Sequence, residues 1–304
     1  MKKPTKFNGL IELVGNTPLL ELRNFHSENG VRILVKAEYQ NPSGSVKDRA
    51  AKAMLLDGIE SRKLTKDKTI IDATSGNTGI AYAMFGASLG YRVKLTMPSN
   101  VTEERKKIMK AYGADIIETD PLEGIDGAYW ECRRIVSENP EAYFYSDQYS
   151  NEQNWKAHYF GTAEEILSQT SGKITHFVAG TGTSGTFMGC TKKLKEINPE
   201  IKCLNMTPDS PFHGIEGVKH CSALLKEGFF DETVSDGRIE ISTETAYRTA
   251  RQLARHEGLF VGISSGANVA AALKLAENVP DGSVIVTVLC DGGYRYLSGN
   301  VWGD

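Results

Sequence analysis

The chain has 304 residues, 40% hydrophobic and 24% charged, with a formal net charge of −3 at pH 7. That length suits one large α/β unit or two subdomains around a sizeable core, and the near-balanced charge gives no electrostatic case for nucleic acid or an anionic membrane. The five cysteines, Cys132, Cys190, Cys203, Cys221 and Cys290, are odd in number and scattered; they spell neither a zinc site nor a disulfide framework and point to a reducing cytosol. No metal is expected. Met1–Lys6 is not followed by an apolar signal segment, and no stretch is long and apolar enough to span a membrane, so a cytoplasmic location is expected.

In chain order, 31–38 reads as a strand and is followed by Asn41-Pro42-Ser43-Gly44-Ser45-Val46-Lys47-Asp48-Arg49. This turn of Pro, Ser and Gly runs into a helical pattern over 46–61 and puts Lys47 in its first turn. A helix start concentrates free N–H groups and partial positive charge. It therefore favours the neutral amine, the form that attacks a carbonyl and holds a Schiff base. By itself the stretch more often describes a surface lysine after a turn. The strand 69–73 leads through Thr74-Ser75-Gly76-Asn77-Thr78-Gly79 into a helix over 78–89. Hydroxyls, an amide and flexible backbone thus meet at a strand's carboxyl end and a helix start, where open α/β sheets place ligands and anions. Helix capping accounts for one of these residues but not the cluster.

Strands over 92–97 and 115–119 and helices over 102–112, 127–138 and 152–168 follow. After the strand 174–179 comes Gly180-Thr181-Gly182-Thr183-Ser184-Gly185-Thr186, opening a helix over 184–197. Small residues let several backbone N–H groups converge on a phosphate. Gly180, Gly182 and Gly185 also form G-x-G-x-x-G, with Asp209 at about the distance of a ribose-binding acid, so a nicotinamide-dependent oxidoreductase is an open alternative. The hydroxyls of Thr183, Ser184 and Thr186 suit a terminal phosphate better than a pyrophosphate, and that alternative gives Lys47 and the Asn77 loop no role. A strand over 201–206 precedes a loop-rich stretch, 207–235, containing His213-Gly214-Ile215-Glu216-Gly217. Loops of that length in α/β proteins are more often functional than idle. Asp236 reads as a turn residue before the strand 238–241. Helices over 242–257 and 267–277 lead to a last strand, 283–289, with Cys290 at its end. A buried structural cysteine is the plain alternative there. Alternation of this kind builds βα units around parallel sheet.

Together these segments resemble the pyridoxal-phosphate enzymes of the cysteine synthase family, the fold type II or tryptophan-synthase-β-like group. The resemblance extends from Val14-Gly15-Asn16-Thr17-Pro18-Leu19 to Arg295-Tyr296-Leu297-Ser298 and takes in Pro98-Ser99-Asn100 and Gly262-Ile263-Ser264-Ser265-Gly266. Cys290 stands where the commoner type carries serine, which is similar to the cysteine synthase B type. The resemblance implies an α/β fold of two subdomains with mostly parallel sheets flanked by helices: a smaller one over 41–148 that binds the substrate carboxylate, and a larger one over 1–40 plus 149–304 that binds the cofactor phosphate. It implies pyridoxal 5'-phosphate held by Lys47, Asn77, Gly182, Thr183, Ser184, Gly185, Thr186 and Cys290, with Lys47 catalytic and Cys290 facing the pyridine nitrogen. Thr74, Ser75, Asn77, Thr78 and Gln148 would bind the substrate carboxylate, and Gly214 would belong to a loop closing over the substrate. The implied reaction is β-replacement through an aminoacrylate: O-acetylserine and sulfide giving L-cysteine and acetate. A cysteine desulfhydrase or a lanthionine- or cystathionine-forming synthase would use the same scaffold. A homodimer, and a partnership with serine acetyltransferase, also come from the resemblance. Around the Gly214 loop the pattern departs from the synthases, with Glu216 between the glycines and Lys219 and His220 after them; Glu216 reads as a solvated loop carboxylate.

Overall fold

The computed structural model describes residues 9–25, 30–74, 76–223 and 228–303. The fold is α/β with largely parallel sheets. Among the described residues the strands are β1 (Leu19–Glu21), β2 (Arg32–Ala37), β3 (Thr69–Ala73), β4 (Arg92–Pro98), β5 (Asp115–Thr119), β6 (Tyr143–Tyr145), β7 (His176–Gly180), β8 (Lys202–Pro208), β9 (Gly237–Ile241) and β10 (Val284–Leu289). They fall into two compact units.

The first unit comprises the described residues of Met1–Asn16, with Asn41–Ser43 and Lys47–Gln148. Its sheet is wholly parallel, in the order β5-β4-β3-β6, and its helices are α1 (Lys47–Glu60), α2 (Asn77–Leu89), α3 (Glu103–Ala111) and α4 (Gly124–Glu138). A central parallel strand is buried on both faces, and β3 is buried from Ile70 to Ala73, with Asp72 the one charged residue among apolar ones. Because side chains alternate along a strand, Ile70 packs with Met54 and Leu55 of α1 and Ile80 and Phe85 of α2. Ile71 and Ala73 pack on the other face against Ala128 and Cys132 of α4.

The second unit comprises the described residues of Thr17–Gln40, Gly44–Val46 and Tyr149–Asp304. Its sheet runs β1-β2-β10-β7-β8-β9 and is parallel except for β1 against β2. Its helices are α5 (Gln153–Ala157), α6 (Ala163–Gln169), α7 (Gly185–Ile197), α8 (Thr243–Gln252) and α9 (Ile263–Ala276). Leu34, Phe177, Ala179, Val286 and Val288 point to one face, against Phe187 and Leu194 of α7. Ile33, Val35, Val178, Ile285 and Leu289 point to the other, against Val269 and Ala272 of α9. The register pairs Ile285 with His176, so β7 and β10 end side by side at the same carboxyl edge.

Three local features differ from the sequence expectation. The strands β1 and β6 have three residues each, too short for a period of two to show. Helix α9 starts at Ile263 rather than at 267, which brings Ser265 and Gly266 inside the helix. The helix expected over 152–168 is interrupted by a π-helical turn, His158–Thr162. At that turn α7 comes close: a Cβ on Gly189 would run into the Trp155 carbonyl and lie 2.8 Å from His158 Cβ and 2.9 Å from Tyr159 N. Two of those three neighbours are backbone atoms and cannot step aside. Gly189→Ala is therefore expected to destabilise the protein by about 1–3 kcal/mol, seen as a lower urea midpoint with an unchanged slope.

Candidate active site

In the first unit Lys47 is the first residue of α1 and is half-buried. The turn before it is tied down by short-range hydrogen bonds. Ser43 donates its N–H to Asp48 Oδ2 at 2.6 Å and its hydroxyl to Asp48 Oδ1, and Gly15 N–H donates to Asn41 Oδ1 at 2.9 Å. The Asp48 carboxylate is fully buried at the helix start, where negative charge is favoured.

The second cluster of this unit gathers at the carboxyl edge of β3 and β6, which are adjacent and in parallel register. Gly76 N–H donates to Thr74 Oγ1 at 3.4 Å, a turn that leads into α2. Asn77 is the first residue of α2 and is half-buried. Gln148, three residues beyond β6, donates from Nε2 to the Ala73 carbonyl at 3.2 Å and accepts from Thr78 Oγ1 at 3.0 Å. One buried amide thus fastens the β6 end to the Thr74–Thr78 loop. The structure brings Thr74, Asn77, Thr78 and Gln148 together; Ser75 lies outside the described residues.

Beneath this loop, on β3, is Asp72, 2% exposed. Ser146 Oγ donates to its Oδ2 at 2.8 Å and Ala73 N–H to its Oδ1 at 2.8 Å. Burial pushes its carboxyl up to about 7, against the pull of those two donors. Sequence reading gave it no role.

In the second unit the loop after β7 and the residue after β10 sit at neighbouring strand ends. Ser184 caps α7 in the left-handed conformation, φ +74°, at a helix start whose first N–H groups have no intrahelical acceptor. Asn154 Nδ2 donates to Thr183 Oγ1 at 2.9 Å. His158 Nε2 lies 3.3 Å from Thr186 Oγ1, and its Nδ1 lies 2.9 Å from Thr162 Oγ1. Asn154 and His158 were not singled out from the sequence; their signal was the i, i+4 spacing that puts both on one helix face. Cys290 is half-buried. Its N–H donates to Ser265 Oγ at 2.8 Å, and its carbonyl accepts from Val46 N–H at 2.8 Å, Val46 being the residue before Lys47 in the chain.

The Gly214 loop is also fastened within the second unit. Gly214 N–H donates to Thr243 Oγ1 at 2.9 Å, Ile215 is fully buried, and Lys219 N–H donates to the Thr181 carbonyl at 2.8 Å. Glu216 is exposed. Asp236 accepts from Cys203 N–H at 2.7 Å and pairs with Lys195 at 2.6 Å. Burial raises its carboxyl, but these two partners more than offset it and leave it lowered. It anchors the start of β9.

Comparison with known proteins fits this arrangement. The family model described as pyridoxal-phosphate dependent enzyme matches residues 10–291. A cysteine synthase of Aquifex aeolicus (strain VF5) is 51% identical over 301 residues, 97% of this chain and 92% of that protein. A cysteine synthase B of Salmonella typhimurium (strain LT2) is 41% identical over 297 residues, 98% of this chain and 97% of that protein. The crystal structure of a cysteine synthase from Entamoeba histolytica superposes with a TM-score of 0.93 at 37% identity, covering 100% of this chain and 94% of that one. The chain belongs to the family of pyridoxal-phosphate-dependent enzymes. Its cofactor is accordingly pyridoxal 5'-phosphate, and the nicotinamide reading of Gly180, Gly182 and Gly185 is set aside.

The loop after β7 fits that cofactor's phosphate. Thr181 Oγ1 is buried with no hydrogen-bond partner among the described residues. A Cβ on Gly182 would run into the Gly217 carbonyl, and one on Gly185 into the Asn154 side chain, so both positions need glycine to keep the cradle open.

The Asp72 carboxyl gives a pH test. Its folded value is raised, so the folded protein keeps a proton that the unfolded chain has already released. Stability from this group therefore falls as pH climbs from the ordinary carboxylate value towards about 7. Asp72→Asn is expected to flatten that fall by on the order of a few kcal/mol, measured as the urea midpoint between pH 4.5 and 8.

Proposed function

We propose that the protein is a cysteine synthase, replacing the β-substituent of O-acetyl-L-serine with sulfide to give L-cysteine and acetate. The observation that carries this beyond family membership is Cys290 at the end of β10, a neutral thiol where the resemblance puts the pyridine nitrogen. A carboxylate there would hold that nitrogen protonated; a thiol does not. When bound, the cofactor supplies an electron sink for the substrate's α-carbon, and a sink of moderate strength suits chemistry in which charge leaves promptly with the β-substituent.

In this reading the chain's own groups do the rest. Lys47 anchors the cofactor through its amine. Beside the substrate's α-carbon, the same amine in its free form would take the proton from Cα and later return it. Asn77 donates to the cofactor's ring hydroxyl. Gly182, Thr183, Ser184, Gly185 and Thr186 hold the phosphate, supported by Asn154 and His158. Thr74, Ser75, Asn77, Thr78 and Gln148 bind the substrate carboxylate. The Gly214 loop covers the β-substituent. A homodimer, a cytoplasmic location and association with a serine acetyltransferase belong to the same proposal.

The deciding experiment mixes the coloured holoenzyme separately with O-acetylserine, O-phosphoserine, serine and cysteine. O-acetylserine is expected to change the visible spectrum, and sulfide to restore it with formation of cysteine. Sulfide release from cysteine alone would replace this reading with a desulfhydrase, and no spectral change with any of them would overturn it. Lys47→Ala is expected to stay folded by circular dichroism, lose the visible band and lose about a thousandfold or more of turnover; retained turnover would contradict its role.

A further inference from the structure

We propose that Asn268 is a positioning residue whose side-chain amide aims the Cys290 thiol proton at the cofactor's ring nitrogen and locks the phosphate loop to the same strand end. The inference rests on the reading that Cys290 meets that nitrogen. Asn268 lies in the first half of α9 and is 1% exposed. Its Oδ1 accepts the N–H of Gly180, the first residue of the phosphate loop, at 2.9 Å. Its Nδ2 donates to the Val288 carbonyl at 2.8 Å and lies 3.4 Å from Cys290 Sγ.

The orientation of this amide is not a free choice. An N–H can only donate and a backbone carbonyl can only accept, so Gly180 fixes the Oδ1 position and Val288 fixes the Nδ2 position. The sulfur therefore meets a donor and must use a lone pair towards Asn268. Its own proton is then directed away from Asn268. In this structure Sγ donates to the Val288 carbonyl at 3.8 Å, a carbonyl it shares with Asn268. A ring nitrogen carrying a lone pair is the better acceptor for the thiol proton. The same amide holds Gly180, so one side chain sets the spacing between the phosphate cradle and the thiol.

A residue present only for packing would affect stability and leave the cofactor's electronic state alone. The test therefore reads the visible absorption maximum of the holoenzyme, its pH dependence, and the cofactor dissociation constant of resolved apoprotein, for wild type, Asn268→Asp and Cys290→Ala. In Asn268→Asp the carboxylate still accepts from Gly180 but can no longer donate to the Val288 carbonyl or to sulfur, and it accepts a hydrogen bond from the thiol instead. Its band is expected to shift in the same direction as that of Cys290→Ala, with cofactor affinity weakened about tenfold. A wild-type spectrum in Asn268→Asp beside a shifted one in Cys290→Ala overturns the proposal and leaves the Cys290 reading standing. A wild-type spectrum in both removes the Cys290 reading and the proposal with it. A further arm needs no change at Asn268: with 15N-labelled asparagine, the Asn268 side-chain amide resonance of the holoenzyme is expected to move on Cys290→Ser, and an unmoved resonance overturns the proposal even where Asn268→Asp does not fold.

Discussion

Buried side-chain amides hold the loops of this protein to the ends of its strands. A loop at the carboxyl edge of a parallel sheet leaves the sheet's hydrogen-bonding pattern, and its backbone groups need partners that strands no longer supply. An amide offers a donor and an acceptor on one short, uncharged stem and so bridges a carbonyl and an N–H without burying charge. Asn268 does this between Gly180 and Val288, and Gln148 likewise bridges the Ala73 carbonyl and the Thr78 hydroxyl. Asn154 reaches Thr183, and Asn41 reaches the backbone of Gly15. Leaving either end of such a bridge unmet would cost about 1–3 kcal/mol per group. The loops are therefore held by bonds that are expensive to break, although they carry little regular structure.

Neutral partners also shape the electrostatics. Cys290 meets an amide and a serine hydroxyl, and the loop after β7 is built of glycine, threonine and serine rather than of lysine or arginine. Backbone dipoles at the start of α7 can then stabilise a phosphate without a fixed cation. Where a carboxyl is buried with only uncharged donors, as at Asp72, the cost appears as a raised proton affinity. Where a lysine is at hand, as for Asp236, the carboxyl stays low.

Much of the sheet was readable because a parallel strand buried on both faces is rich in apolar residues. Thr69–Ala73 and Val284–Leu289 stand out, although Asp72 and Thr287 interrupt them, and each is followed directly by a candidate loop. Strands of three residues, Leu19–Glu21 and Tyr143–Tyr145, show no period and were not read. The start of α9 was placed too late because Gly262-Ile263-Ser264-Ser265-Gly266 reads as a loop by composition. Lys47, Asn77 and the threonine-rich loop stood out as candidates because each lies at the start of a helix with unusual chemistry. Asn268, Asn154 and His158 did not, since each acts on a loop far away in sequence. Spacing alone puts Asn154 and His158 on one helix face, but the partner of such a residue is known only once the chain is folded.

The central claim is that Lys47 carries the cofactor. The most direct measurement is borohydride reduction of the coloured holoenzyme followed by peptide mass mapping. The account predicts a reduced pyridoxyl phosphate fixed to the peptide containing Lys47, with loss of the visible band. Label on a different lysine, or no label on any peptide, would contradict it.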